Sequence, residues 1–210
     1  MPTGCRRAFS LLAVIGLAAA FSAPSVAGAA TEGTAARAKA ASNACASADS
    51  LPGRLSATQA QATTLCLMNA QRTARGLRAL SAQPTLTKVA TGYAKQMADQ
   101  HFFDHTSPSG STLLSRVKAT SYLAGATNWS LGENIAWGTN RLSTPRATVE
   151  NWMKSPPHRA NLLSSQFTEV GIGLAAGGGT LDDNPDGLGT TYVTNFGKRI
   201  MSARSAKQRL

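Results

Sequence analysis

Histidine, cysteine and acidic residues are scarce in this chain. Of its 210 residues, three are histidine (His101, His105 and His158), three are cysteine and ten are acidic, against 21 Lys and Arg. Each shortage narrows what the chain can do. Any chemistry that needs an imidazole near neutral pH rests on three positions. The one sustained apolar run, Leu11–Phe21, falls short of the ~20 residues that a membrane-spanning helix needs, and no later stretch approaches it. No Gly-x-Ser-x-Gly elbow is present, which removes one common route to an activated serine. His101 and His105 have the i, i+4 spacing of a zinc-protease helix, but position 102 is Phe, where that motif needs its Glu base. Gly171-x-Gly173 opens no helical pattern, which excludes a dinucleotide loop. Asp182, Asn184, Asp186 and Gly187 copy the first half of a calcium loop, yet Val193 stands where the bidentate Glu belongs, so a hairpin turn is the better reading.

What is present points outside the cytoplasm. Residues 1–29 read as a secretory signal peptide: Arg6 and Arg7 are its charged start, Leu11–Phe21 its apolar centre, and Ala27-Gly28-Ala29 a small-x-small cleavage site. The expected product is a secreted, extracellular protein with no transmembrane segment, beginning near Ala30. Cleavage removes two basic and no acidic residues, which takes the net charge from +11 to +9. The surplus is partly local, with Lys198, Arg199, Arg204, Lys207 and Arg209 near the C-terminus and Arg72, Arg75 and Arg78 near the end of the first helix. Anionic wall polymer, lipid headgroups or extracellular DNA are the anionic partners such a charge admits; an extracellular wall polymer, lipid or protein is the expected partner, and no specific nucleic acid is implied. A solvated basic tail that aids solubility is the preferred reading. Cys45 and Cys66 remain after cleavage, and two cysteines in an oxidising compartment point to one disulfide.

Along the chain, residues 30–54 lack an apolar period and read as a flexible arm. Ser56 and Gln59 form a capping box that opens a helix running to about Arg75, with Gly76 as its stop. Pro84 begins a second helix that buries Leu86, Val89, Ala90, Tyr93 and Met97 and ends near Phe102. A third spans Thr112–Ala119, with Leu113, Leu114 and Val117 inward. Gly132–Gly138 reads as a short buried strand. Thr144-Pro145 caps a helix that runs to about Lys154, where Pro156-Pro157 stop it. Glu169–Leu174 and Thr191–Phe196 alternate as strands. This order predicts one α+β domain over residues 55–200, with helices around a small antiparallel sheet, followed by a basic tail at 201–210.

Three segments carry the chemistry. His105 sits in a turn, Glu133 in the buried strand, and His158 just past the two prolines. Two imidazoles and a carboxylate suit a divalent cation with open positions, or proton transfer, or a buried polar network. Spacing alone leaves these open. Ser107 and Ser155 each precede a proline, so turn and helix-stop roles account for both.

The runs Phe103-Asp104-His105-Thr106-Ser107-Pro108, Gly132-Glu133-Asn134-Ile135-Ala136, Trp152-Met153-Lys154-Ser155-Pro156-Pro157-His158-Arg159-Ala160-Asn161-Leu162-Leu163, Glu169-Val170-Gly171-Ile172-Gly173 and Tyr192-Val193-Thr194-Asn195-Phe196-Gly197 stand in the order seen in the CAP superfamily. That superfamily takes in cysteine-rich secretory proteins, antigen 5 and pathogenesis-related proteins. The chain is most similar to its bacterial secreted branch, over about residues 60–198. The resemblance implies an α-β-α sandwich with a three-stranded antiparallel sheet flanked by helices, and a cleft of two His and two Glu that binds zinc or magnesium in some members. His105, Glu133 and His158 match three of the four, with His105 and His158 the metal-ligating pair. Ser155 takes the place of the second Glu, which implies a weakly bound, exchangeable divalent cation such as zinc and no required cofactor. The expected role is a non-enzymatic binding module. A metal-assisted hydrolase of wall or peptide substrates and a sterol or lipid binder are the alternatives.

Overall fold

The computed structural model describes residues 32–37, 39, 45–177 and 189–202. The expected leader, the calcium-like segment and residues 203–210 of the basic tail lie outside these residues. Helix α1 (Ala57–Thr73) opens on the capping box, with Ser56 and Gln59 exchanging side-chain-to-backbone bonds of 3.2 and 2.9 Å. Helix α2 (Pro84–Asp99) ends before the expected Phe102. His101 takes a φ of 52°, and the Phe102 N–H returns to the Met97 carbonyl. That left-handed closure is more often given to glycine. In α3 (Leu113–Lys118) Val117 is buried and Leu113 partly so, but Leu114, expected inward, is exposed.

The two prolines do not end helical structure. Ser155 (φ −88°, ψ 118°) closes α4 (Pro145–Lys154), and Pro156 then starts α5 (Pro156–Leu163). Proline is tolerated in a first turn because the N–H it lacks has no partner there. His158 therefore stands in the first turn of a helix.

The strands β1 (Ser81–Ala82), β2 (Ala126–Gly138), β3 (Glu169–Ala176) and β4 (Thr190–Met201) lie in the order β1-β3-β4-β2. The pairs β2–β4 and β3–β4 are antiparallel, and β1–β3 is parallel. The sheet is thus four-stranded and mixed, where three antiparallel strands were expected. Strand β1 is two residues long and shows no period. It is made by the backbone, with Ser81 N donating to Thr168 O and Gln83 N to Val170 O.

Helices cover both faces. On one, Leu67 and Met68 of α1, Val149 and Trp152 of α4 and Leu162 of α5 pack on Val170, Ile172, Tyr192 and Phe196. On the other, Ala90, Tyr93 and Met97 of α2 meet Ile135 and Val193, and Leu86 meets Val117 and Tyr122. Gly171 and Gly173 face α2, where an added Cβ would run into the backbone of Leu86 and Ala90. Close approach of helix to strand is thus the reason for this glycine pair.

Cys45 is bonded to Cys66, with their Cα atoms 5.8 Å apart. Cys45 and Ala48 are buried in the first core, so the expected flexible arm is anchored from Cys45 onward. Arg72, grouped by sequence with surface cations, is 1% exposed. It donates to the carbonyls of Arg78, Leu162, Ser164 and Phe167, at 2.8 to 3.4 Å. Arg199, counted by sequence with the basic surplus near the C-terminus, pairs with Glu169 and lies 4.2 Å over the Tyr122 ring.

Candidate functional site

Strand β2 is an edge of the sheet, and its successive side chains point to opposite faces. Glu133 turns toward the α2–α3 layer and Asn134 toward α5. Glu133 Oε1 lies 2.9 Å from His105 Nδ1. Its Oε2 accepts from Arg116 Nη2 at 2.8 Å. The amide orientation that satisfies both neighbours of Asn195 places its nitrogen 3.0 Å from the same Oε2 and its oxygen 3.2 Å from Ala90 N. Both carboxylate oxygens are therefore held from within the protein.

Arg116 organises this corner. Its guanidinium lies 3.3 Å over the Tyr93 ring and donates to the carbonyls of Ser111 and His105. The Tyr93 hydroxyl donates to Asp104 O at 2.7 Å, and Thr106 N to Asp104 Oδ1 at 2.7 Å. The turn that carries His105 is thus tied to both helices. On the other face, Asn134 Nδ2 donates to His158 O at 3.0 Å. Asn161 Nδ2 donates to Asn134 Oδ1 at 3.0 Å and to Glu133 O at 3.2 Å. These bonds fix the first turn of α5, and with it His158, on β2.

The two imidazoles are set apart electrostatically. The hydrogen bond to Glu133 is the main reason the His105 pKa lies above the ordinary histidine value. Burial, and then the positive charge of His105, push His158 below it. Because a carboxylate only accepts, His105 Nδ1 carries the proton, and Nε2 is the nitrogen left for solvent or ligand. The half-exposed His105 is thus shifted toward the protonated form and His158 toward the neutral one. Such a pair can donate and accept hydrogen bonds at one site or pass a proton.

The sequence reading took His105 and His158 as the metal-ligating pair and Glu133 as the third member of the site. The structure pairs Glu133 with His105. Glu133 is saturated by His105, Arg116 and Asn195, and among the described residues no three His, Cys, Asp or Glu side chains are grouped to hold a metal. Ser107 is buried, with its hydroxyl bonded to Ser109 Oγ and Ser111 N rather than to a histidine. Glu150 is exposed on α4. Sequence reasoning missed Arg116, Tyr93, Asn134, Asn161 and Asn195. The three asparagines lie inside the quoted motif runs, which was the available signal. Arg116 lay in a short helix with nothing to mark it.

Comparison with known proteins agrees with this architecture. The profile of the family described as CAP, cysteine-rich secretory protein family, matches residues 65–196. The chain belongs to the CAP family. Bacillus subtilis (strain 168) YkwD is 34% identical over 150 residues, which is 71% of this chain and 55% of that protein. The B. subtilis membrane protein YlbC is 32% identical over 118 residues, 56% of this chain and 32% of that protein. This CAP chain thus spans about half of the first relative's length and a third of the second's. Among solved structures, an extracellular SCP-domain protein of Bacillus anthracis superposes with a TM-score of 0.52 at 30% identity, over 67% of this chain and 40% of that one. An outer surface protein of Borrelia burgdorferi gives 0.51 at 25% identity, over 63% of this chain and 87% of that one.

Proposed function

We propose that this CAP chain is a secreted, extracellular binding module that holds its ligand between His105 and His158, with Glu133 as the internal anion that orients His105. The saturation of both Glu133 oxygens carries this reading. A carboxylate already bonded to an arginine, a histidine and an asparagine is a poor general base, and no described hydroxyl is paired with either imidazole as a nucleophile. Export is supported by the leader, by the disulfide, and by the extracellular and outer-surface descriptions of the B. anthracis and B. burgdorferi neighbours. Among the described residues no helix is long and apolar enough to cross a membrane.

The donor set suits a weak cation site at most. Two imidazoles, one backed by a carboxylate, can hold an exchangeable zinc ion through His105 Nε2 and His158. That affinity falls below about pH 6.5 as protons compete. The deciding experiment incubates the purified chain with insoluble wall polymer and, separately, with peptides. Retention that His105→Ala/His158→Ala abolishes, with no soluble product released, supports the binding module. Product release that depends on these histidines establishes the hydrolase instead.

One observation favours a lipid as the ligand. A groove of about 710 Å³ between α2 and α3 is lined by Val89, Gly92, Tyr93, Arg116 and Ala119, so it shares Tyr93 and Arg116 with the cleft. Sterol and fatty-acid binding assays test this second reading.

A further inference from the structure

A second concavity shares no residue with the cleft. It measures about 530 Å³ and is lined by Asp49, Ser50, Leu51, Arg54, Asn140 and Arg141. One wall is the segment that follows Cys45 and closes in a short 3-10 turn, Pro52–Arg54; the other is the 3-10 turn Asn140–Ser143 that follows β2. Three links keep the walls in place. Cys45 is bonded to Cys66, Arg146 N donates to Ala48 O at 2.9 Å, and Arg146 Nε pairs with Asp49 at 2.8 Å.

The last contact matters for the charge. Asp49 is the acid of this lining, and Arg146 already neutralises it. Arg54 and Arg141 are exposed, and their guanidiniums carry no hydrogen bond or ion pair to another described residue. Two uncompensated guanidiniums thus border one cavity. A polyanion that enters the cavity can pair with both. The planar guanidinium fork matches phosphate oxygens two at a time.

The rest of the lining selects among phosphate ligands. Among the described residues no aromatic ring lines it on which a nucleobase could stack. Ser50 and Asn140 offer a hydroxyl and an amide to alcohol groups, and Leu51 an apolar surface to a short carbon chain. The volume exceeds that of one phosphate, so consecutive charged units fit. We propose that this cavity binds a polyol-phosphate polymer, with Arg54 and Arg141 each taking a phosphate and Ser50 and Asn140 the hydroxyls between them. The net charge of the processed chain, +9, steers such a polyanion toward the surface, and the cavity gives it a place to dock.

The test uses a soluble glycerol-phosphate oligomer as probe, titrated by calorimetry at about 0.15 M salt so that diffuse attraction is screened. Arg54→Glu/Arg141→Glu should weaken binding by roughly tenfold or more, about 1.4 kcal/mol. Lys118→Glu/Lys154→Glu changes net charge equally at exposed positions outside the cavity, and should change affinity by less than about twofold at this ionic strength. Thermal melting of both variants checks that each is folded. Equal losses in the two variants would show diffuse attraction and overturn the site. So would unchanged binding by Arg54→Glu/Arg141→Glu, or a single-stranded DNA oligomer bound as tightly as the glycerol-phosphate chain. Because the probe is soluble and the variants leave both histidines in place, the result stands apart from that of the cleft experiment.

Discussion

Arg116 Nη2 lies 2.8 Å from Glu133 Oε2, and the two side chains are 10% and 4% exposed. A buried ion pair of this kind is costly to break from one side, because the remaining charge keeps its desolvation cost and loses its partner. Arg116→Met should destabilise the fold by about 3 kcal/mol. Arg116→Lys should fall between, since an ammonium cannot cover Tyr93 and reach Glu133 and the Ser111 carbonyl as a planar fork does. Urea denaturation of Arg116→Met, Arg116→Lys, Glu133→Gln and the double variant Arg116→Met/Glu133→Gln checks this. The double variant should lose less than the two single losses added together.

The two histidines should titrate apart. His105 is raised by its bond to Glu133, and His158 is lowered by burial and by His105. NMR titration of the imidazole Cε1 protons should show His105 above and His158 below about 6.5. Glu133→Gln should bring His105 down toward that value and leave His158 below it. The stability linkage has opposite signs. His105 contributes in full below its unfolded value and loses that contribution as pH rises through its folded value. His158 contributes above its unfolded value, and that contribution is lost as pH falls through the folded one. Two coincident titrations at the ordinary value would contradict the described geometry.

Arg72 should be as sensitive as any core residue. Its guanidinium serves four carbonyls, on Arg78, Leu162, Ser164 and Phe167. Removing it leaves several of them unsatisfied, and a buried unsatisfied group costs ~1–3 kcal/mol. Arg72→Met should therefore lower stability by about 3 kcal/mol or more, whereas Arg78→Met, at an exposed position, should change it by less than ~0.5 kcal/mol. Thermal or urea unfolding of the pair tests the contrast.

These residues also show where sequence reading succeeds and where it stops. The capping box at Ser56, the proline start of α2 and the alternation of β3 and β4 are local signals, and each produced an element at its expected place. Strand β1 could not be read, because two residues have no period and their pairing comes from a segment far along the chain. Pro156 was legible as a helix boundary but not as a beginning, since the same residue serves both ends. Within the site, His105, Glu133 and His158 stood out by rarity and motif. The distribution of bonds around Glu133 did not, because it depends on which face of β2 each neighbour occupies. An isolated arginine gives no sign of whether it will be solvated, like Arg78, or enclosed, like Arg72 and Arg116.

Two glycines give a contrast that needs no assumption about function. An added Cβ at Gly171 meets the α2 backbone, while at Gly92, within α2, it meets nothing within 4 Å. Gly171→Ala should destabilise by about 1–3 kcal/mol or more, as strand and helix are forced apart. Gly92→Ala should stabilise by up to ~1 kcal/mol, the helix-propensity difference. Differential scanning calorimetry should move the two melting temperatures in opposite directions.

The placement of β2 at the sheet edge makes the proposed His105–His158 site a report on tertiary assembly. His105 belongs to one helix layer, through Glu133 and Arg116, and His158 to the other, through Asn134 and α5. Helix α5 is eight residues long with a single buried side chain, Leu162. Arg72 secures its C-terminal end and Asn134 its first turn. Release of that first turn is a local opening, cheaper than global unfolding. It would carry His158 away while the His105–Glu133–Arg116 corner stayed whole. A ligand that bridges the imidazoles binds only the closed arrangement, so its affinity is scaled by the closed fraction. Its signature would be slower amide exchange at the start of α5, even where the rest of the fold is unchanged.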